Sequence, residues 1–580
     1  MGSERTGRSA DLVWSPRWAG SASHGPIAPP RRRRRAVSNE YRQVRIEKLT
    51  KLRDAGVAVY PDRFERSHTL AEAHDLPEGQ EGVSVCGRVV AKRVMGKRTF
   101  VKLQDMDGSF QLMISRDDLH EDVEQSKQLY TQVKKLIDLW DFLGASGATM
   151  RTKTGEPTLD VRSFTFLGKS LQSPPEKYKG SQDTELNWRR RYLDLVTNEE
   201  TRARFRLRTN MVKAMRAYLD EHGFDEVETP VLCNKASGAL ARPFVAHHNS
   251  MNMPVVMRIA PETYLKRLIV AGYDRVYEFA RCFRNEGMDA SHLQDFTMLE
   301  YYASYWNYQD NMRFTREMLQ HVIQQACGTL QIQRGEQTID FGGEWPIRSL
   351  RDVIKEHSGI DFKEHDTAES LRAAVEAKGI ELEKPEAGRG SLIDQLYKKT
   401  ARQKLIQPTF IVNHPTDLSP LARKSDEDPA TVDRFQLVVD TWEVLNAYSE
   451  LVDPLDQRER LEQQAALRSE GDDEAMDLDE DYLLAMEHGM PPISGWGMGI
   501  DRFVALLSDS PNLRDVVWFP LLKPEGGHED PERAGDELIT EWRAQLAGLQ
   551  GQLPAEVFSH LDQALAGIEL PHPASEPEAE

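Results

Sequence analysis

Between Val83 and Phe166 the chain runs on a two-residue period, and that period limits the fold more than any other feature. Val83–Val90, Thr99–Leu103, Ser109–Ile114 and Leu159–Phe166 alternate apolar and polar residues, with the turn residues Met106-Asp-Gly108 and Thr154-Gly155 between them. Such alternation puts one side of each strand in a core and leaves the other to solvent. Strand follows strand here, broken by a single helical pattern near Asp122–Leu136. A small closed β-barrel fits that order.

The barrel would occupy residues 81–172, and an OB-like barrel, whose exposed sheet face binds single-stranded nucleic acid, is the candidate. A helical segment precedes it over 39–80, with its amphipathic pattern at Tyr41–Arg53, and a Pro-containing linker follows over 173–187. Residues 188–524 then mix helices (Glu199–His222, Tyr264–Ala271, Tyr308–Cys327) with extended stretches at Arg275–Phe283, Thr297–Ala303 and Arg434–Val444. The strands follow one another without βαβ alternation, which predicts an α+β fold with an antiparallel sheet flanked by helices. Residues 345–430 read as a helical insertion, best seen at Leu371–Ala377.

At about 150 residues per domain, 580 residues suit three to four domains. No run of about 18 apolar residues is present, so no transmembrane helix is expected, nor any membrane partner. The first 40 residues hold no apolar block after a basic start, which argues against a secretory signal. Cys86, Cys233, Cys282 and Cys327 are too dispersed for a CxxC metal site or disulfide framework and suit a reducing cytoplasm. The formal charge of −19 argues against a protein that coats DNA, though a local basic face can still bind RNA. Residues 1–38 carry eight arginines against two acids, and residues 525–580 carry thirteen acids against two arginines. The first reads as a disordered basic extension or as an arm touching RNA phosphate. The second reads as a partly helical acidic extension that packs on the catalytic domain or recruits a partner.

The chain has no GxxxxGK[ST] loop, and Gly495-Trp-Gly-Met-Gly499 lacks the Lys-Ser/Thr that a phosphate loop needs. His247-His248 has no partner at zinc spacing. Three segments are more specific. Arg281-Cys-Phe-Arg-Asn-Glu-Gly287 is followed by His292, Phe296 and Glu300, and strand flanks would put Arg284 and Glu286 on one face. Gly497-Met-Gly-Ile-Asp-Arg502 is a Gly-rich strand entering a helix, and Gly223-Phe-Asp-Glu-Val-Glu-Thr-Pro230 is a helix end running into a strand that breaks at Pro.

In this order the three segments resemble the signature of class II aminoacyl-tRNA synthetases, and the chain is similar to the bacterial lysyl-tRNA synthetases over roughly residues 40–524. The same likeness is carried by Arg189–Leu195, Ala241–Phe244, Arg258–Arg267, Asn446–Leu451, Gly471–Met476 and Glu487–Pro492. It implies a five-stranded OB barrel before the class II antiparallel sheet. It also implies activation of L-lysine by ATP with Mg²⁺ and transfer to the 3′ end of tRNA(Lys), by a cytoplasmic homodimer that meets its partner at Glu228-Thr-Pro230. Arg284 and Arg502 would be the catalytic cations on the α- and γ-phosphates, with Glu286, His292, Phe296 and Glu443 completing the ATP site. Lysine would be held by Gly238, Glu262, Arg284, Glu300, Tyr302, Asn446, Tyr448 and Glu450. Glu443 and Glu450 would be the metal-binding carboxylates, and Arg93, Phe100, Gln111 and Glu156 would read the anticodon. Several carboxylates in a dry pocket are tolerable only with cations beside them, which suits a doubly cationic amino acid and disfavours the aspartyl and asparaginyl relatives.

The sequence departs from that pattern twice. Leu293-Gln-Asp295 stands where the family has Asn-Pro-Glu, and Gln436 stands where it has a second metal-binding Glu. A neutral oxygen binds Mg²⁺ more weakly than a carboxylate, so fewer ions are expected, with Asp440 as a compensating candidate if the strand is bulged. Two readings follow: an active lysine–tRNA ligase with an altered metal shell, or a paralogue that binds tRNA or lysine without charging.

Overall fold

The alternation in the first part of the chain closes on itself. The computed structural model describes residues 39–172, 174, 184–239, 241–469, 476 and 478–523. The expected 1–38 and 525–580 extensions, most of the linker and most of Gly471–Met476 lie outside them. Helices α1 (Asn39–Asp54) and α2 (Leu70–Asp75) lead into β1 (Val83–Met95), β2 (Arg98–Gln104), β3 (Ser109–Ser115), α3 (Val123–Leu136), β4 (Phe142–Arg151) and β5 (Pro157–Gly168). The five strands form a closed barrel in the order β1-β2-β3-β5-β4. Its filling, from Val83, Val85 and Val89 to Leu159 and Val161, is the inward half of the alternation. Asp122 caps α3 by accepting from the Gln125 amide at 2.8 Å. At its other end Lys92 Nζ donates to the Val133 and Ile137 carbonyls, both at 2.7 Å, where helix charge favours a cation.

Strand β4, the fifth of the expected barrel, was not located by alternation. Leu143-Gly-Ala-Ser-Gly-Ala148 has small residues on both faces instead of an apolar–polar alternation. Gly147 is required there, because a Cβ would lie 2.0 Å from the Asp160 carbonyl oxygen on β5.

The second unit begins with α4 (Thr184–Arg189), α5 (Arg191–Thr197) and α6 (Glu199–Glu221), then β6 (Asp225–Glu226), β7 (Leu232–Cys233), β8 (Val245–His248), β9 (Met253–Met257), α7 (Glu262–Val270), β10 (Arg275–Phe283), β11 (Asp295–Ser304) and α8 (Tyr308–Cys327). It continues with β12 (Gln331–Arg334), β13 (Gln337–Asp340), β14 (Ile347–Ser349), α9 (Leu350–Ser358), α10 (Ala368–Ala377), α11 (Arg389–Leu396), β15 (Thr409–Pro415), β16 (Thr431–Val439), β17 (Trp442–Ser449), α12 (Pro454–Ser469), α13 (Glu480–Glu487), β18 (Ile493–Gly499) and α14 (Ile500–Leu507). Eight strands form one sheet in the order β14-β15-β16-β17-β18-β11-β10-β6. Only the edge pairs β14–β15 and β6–β10 are parallel.

Two expectations change. The stretch 345–430 is not wholly helical: α9–α11 have their own core around Val353, Leu371 and Leu392, but β14 and β15 at its ends belong to the large sheet. Arg434–Val444 is not one strand. Asp440 and Thr441 take φ of 48° and 66°, the left-handed pair of a two-residue hairpin turn, and split the stretch into β16 and β17. Asp440 sits in that turn, paired with Arg334, and does not stand in for a metal ligand.

Candidate active site

Alternation along the central strands divides the sheet into a packed face and an open one. On β11, Leu299, Tyr301 and Ala303 enter the main core, as do Trp496 and Met498 on β18 and Leu445 and Ala447 on β17. Residues of opposite parity, Met298, Glu300 and Tyr302, Gly495 and Gly497, Asn446 and Tyr448, line a cleft of about 440 Å³. That volume suits a small ligand. Every expected lysine and ATP residue lines it except Glu450: Gly238, Glu262, Arg284, Glu286, His292, Phe296, Glu300, Tyr302, Glu443, Asn446, Tyr448 and Arg502. Arg284 and Glu286 are not on a strand, since β10 ends at Phe283; the Glu286 amide turns back onto the Arg284 carbonyl at 3.0 Å.

One end of the cleft is built of carboxylates and phenols. Glu262 starts α7, and its Oε1 accepts from Tyr448 Oη at 2.9 Å and from Lys266 Nζ, one turn on, at 2.5 Å. Glu300 Oε2 accepts from Tyr302 Oη at 3.1 Å. Burial, reinforced by Glu262, pushes the Glu300 carboxyl up to about 8. Burial likewise drives the Tyr302 and Tyr448 phenols well above their usual range, so both remain donors. Two glycines make room. A Cβ on Gly495 would lie 2.1 Å from Glu450 Oε1 and 2.4 Å from the Tyr302 ring, and Gly238 has φ +88° with its would-be Cβ 2.9 Å from that of Glu262.

Glu450 sits one layer deeper than expected. It is buried, forms an ion pair with Lys266 and does not line the cleft. Lys266 occupies its Oε2, an arrangement that argues against a metal on that oxygen.

The other end is cationic. Arg284, Arg434 and Arg502 line it. Arg284 Nε is buried without a hydrogen-bond partner, a donor left for an anion, and its guanidinium lies 5.1 Å from the Phe296 ring centroid. Arg502 is fixed by donating to the Glu443 carbonyl at 2.9 Å and the Ser291 carbonyl at 3.3 Å. Its neighbour Asp501 anchors the start of α14, accepting from Arg208 Nη1 at 2.6 Å and the Thr297 amide at 2.8 Å. His292 is held by Asp289, whose carboxyl falls to about 2 because hydrogen bonds from His292 and Ser291 outweigh its partial burial.

Between the two ends lies the hairpin β16–β17. Gln436 Nε2 donates to Glu443 Oε2 at 3.1 Å, Asn446 Nδ2 donates to Glu443 Oε1, and Arg434 Nη2 donates to Asn446 Oδ1 at 2.6 Å. Gln436 and Glu443 therefore meet across the hairpin. Gln436 Oε1 is buried without a hydrogen bond of ordinary length, beside a His414 imidazole kept neutral by burial and by Arg434. A neutral amide oxygen next to a carboxylate fits a hard cation whose other ligands are phosphate and water. Among the described residues no group of three or more His, Cys, Asp or Glu is placed to hold a metal ion.

Comparison with known proteins agrees with this geometry. The family model described as tRNA synthetases class II (D, K and N) matches residues 183–523, and that for the OB-fold nucleic acid binding domain matches 83–167. The chain is 42% identical over 504 residues to a lysine–tRNA ligase of Synechococcus sp. (strain CC9902), covering 86% of this chain and 100% of that protein. To the lysine–tRNA ligase of Pelotomaculum thermopropionicum it is 43% identical over 489 residues (84% and 95% of the two chains), and to that of Bacillus subtilis (strain 168) 42% over 494 (84% and 97%). The chain belongs to the class II tRNA synthetases.

In this class II synthetase the barrel carries a second candidate surface. Arg93 is opposite Phe100, Phe100 opposite Met113, and Lys102 opposite Gln111, so Arg93, Phe100 and Gln111 share the outer face. Gln111 Nε2 donates to Thr158 Oγ1 at 2.8 Å. Glu156 is exposed in the loop before β5, with its amide donating to Thr152 Oγ1 at 3.1 Å. Three parts of the synthetase's cleft escaped sequence reasoning: Arg434, the wall Leu418–Ala422 within the supposed helical insertion, and Lys266 behind the carboxylates. Only Lys266 had a readable signal, its i+4 spacing from Glu262.

Proposed function

We propose that this synthetase is a lysine–tRNA ligase, joining L-lysine to the 3′ end of tRNA(Lys) at the expense of ATP. The observation carrying the reading is that one cleft is lined both by a carboxylate–phenol cluster, Glu262, Glu300, Tyr302 and Tyr448, and by the guanidiniums of Arg284, Arg434 and Arg502. An amino acid with two ammonium groups fits the first cluster and a polyphosphate the second, and each supplies the charge that its cluster lacks. An aspartate-specific site would need a cation where Glu300 stands.

A lysine carboxylate oxygen attacks the α-phosphorus, pyrophosphate leaves, and the terminal ribose hydroxyl of tRNA then displaces AMP from the lysyl-adenylate. The protein supplies position and field, not a covalent nucleophile. Arg284 spans the lysine carboxylate and the α-phosphate, Arg502 takes the γ-phosphate, Phe296 stacks on adenine, and Glu286 and His292 border the nucleotide. Glu262 and Gly238 take the α-amine, Asn446 with its remaining amide hydrogen the carboxylate, and Glu300 and Tyr302 the ε-ammonium. Tyr448 packs on the methylenes, and Glu450 acts from behind through Lys266. Glu443 and the Gln436 oxygen would hold Mg²⁺, which would supply charge neutralisation for the phosphates.

Arg93, Phe100, Gln111 and Glu156 read the anticodon, stacking and bonding an unstacked base. We keep the domain division of the sequence reading as our proposal, with strands β14 and β15 added at the edges of the 345–430 segment. The enzyme works as a homodimer about the Glu228-Thr-Pro230 segment; the adjoining Val231 and Leu232, 39% and 55% exposed, support an interface there. Four free cysteines support a cytoplasmic setting. Among the described residues no helix is long and apolar enough to cross a membrane.

Charging of tRNA(Lys) with labelled lysine tests the reading. Lysine- and ATP-dependent charging is expected. Lysine binding without charging would favour the non-catalytic paralogue, which no observation supports at present.

A further inference from the structure

We infer that Lys266 is a resident counter-ion that holds Glu262 and Glu450 aligned before substrate arrives, making it a positioning residue for lysine selection. This deepens the functional reading above and rests on it.

Glu262, Glu300 and Glu450 are 5%, 5% and 1% exposed. Left alone, three carboxylates in one dry layer would take up protons or splay apart. Lys266 Nζ, 0% exposed, lies 2.5 Å from Glu262 Oε1 and pairs with Glu450. The rings of Tyr302, Tyr448 and Tyr482 surround it, each with its centroid 5.8 Å away. The titratable groups facing it are therefore Glu262 on α7, Glu300 and Tyr302 on β11, Tyr448 and Glu450 on and just past β17, and Tyr482 on α13. Burial works against the ammonium, and the two paired carboxylates overcome it, so it stays charged at any working pH.

The arrangement divides labour. Glu262 Oε1 is filled by Lys266 and Tyr448, which leaves Oε2 for the substrate. Glu450 is pinned beneath the wall. Glu300 has a phenol but no ion-pair partner among the described residues, so its cation must arrive with the substrate. An amino acid without a distal ammonium leaves Glu300 unpaired.

The test measures lysine and ATP Kd between pH 6.5 and 8.5 for wild type and for Lys266→Met, which keeps the length and drops the charge. At pH 7 the variant is expected to bind lysine about tenfold or more weakly with ATP binding unchanged. Its deficit should shrink as pH rises, because protons now sit where Lys266 did. Wild-type lysine affinity at every pH would overturn the inference, and so would the same fold loss at every pH. Should Lys266→Met not fold, Lys266→Met/Glu450→Gln, which restores the net charge of the layer, is expected to fold. Failure of both would show that packing matters and not charge, and would also overturn it. Absence of lysine binding by the wild-type chain would instead remove the functional reading, and this inference with it.

Discussion

At Glu300, burial and the neighbouring Glu262 push the carboxyl up to about 8, so at neutral pH the empty cleft holds a proton that an ammonium must displace. Lysine binding is therefore expected to release a proton at pH 7 and to tighten toward pH 8, measurable by calorimetry in buffers of different ionisation enthalpy. The same shift bears on stability. A carboxyl whose folded value is raised contributes most below its unfolded value near 4.5, and that contribution is lost as pH climbs to about 8. Glu300→Gln should flatten this part of the ligand-free stability–pH curve. It should also raise the lysine KM roughly 10- to 100-fold with little change for ATP, since a hydrogen bond to a charged group is worth about 1.5–3 kcal/mol. Equal effects on both substrates would place Glu300 outside the amino-acid subsite. At the opposite end, Arg284→Lys keeps the charge and loses the fork. A fall in kcat/KM of about 100-fold or more is expected in pyrophosphate exchange, because one preorganised contact is worth about 3–4 kcal/mol.

The β16–β17 hairpin is the element on which the metal question turns. Gln436 and Glu443 face each other only because Asp440 and Thr441 turn the chain between them. Gln436→Glu places a second carboxylate beside the first, and should lower the Mg²⁺ concentration for half-maximal activity. An unchanged Mg²⁺ curve would detach position 436 from the metal. Thr441 is a β-branched residue at φ 66°, a conformation costing about 1–2 kcal/mol for a residue with a side chain. Thr441→Gly is thus expected to raise Tm by a few degrees in a thermal melt with activity retained. The hairpin also marks what the sequence could reveal. Helix α8 was legible because its apolar residues keep the helical period, and strands β10 and β11 because they are short apolar-rich runs between turn residues. The turn was not, because Asp-Thr lacks the glycine that usually signals a two-residue hairpin. Strand β4 escaped for the same physical reason in reverse: small residues on both faces leave no period to read.

Across the whole molecule, every residue of the ATP and lysine sets except Glu450 converges on one cleft, though they are spread from Gly238 to Arg502. The family resemblance carried by the motifs made those positions legible. What stayed hidden was depth, because spacing along a strand gives the face of Glu450 but not the ammonium that covers it. The two units predict separable losses. Phe100→Ala on the barrel face should lower kcat/KM for tRNA(Lys) about tenfold or more, in line with the loss of one base–aromatic stack, while leaving lysine-dependent pyrophosphate exchange at its wild-type rate. A fall in exchange would deny the barrel a purely tRNA-binding role. The central claim is that the acidic end of the cleft selects a dication while its basic end activates it. Amino-acid-dependent ATP–pyrophosphate exchange at saturating Mg²⁺, run across the twenty amino acids, tests this most directly. Exchange with lysine well above every other amino acid is the predicted result, and no exchange with lysine, or equal exchange with a neutral amino acid, would contradict it.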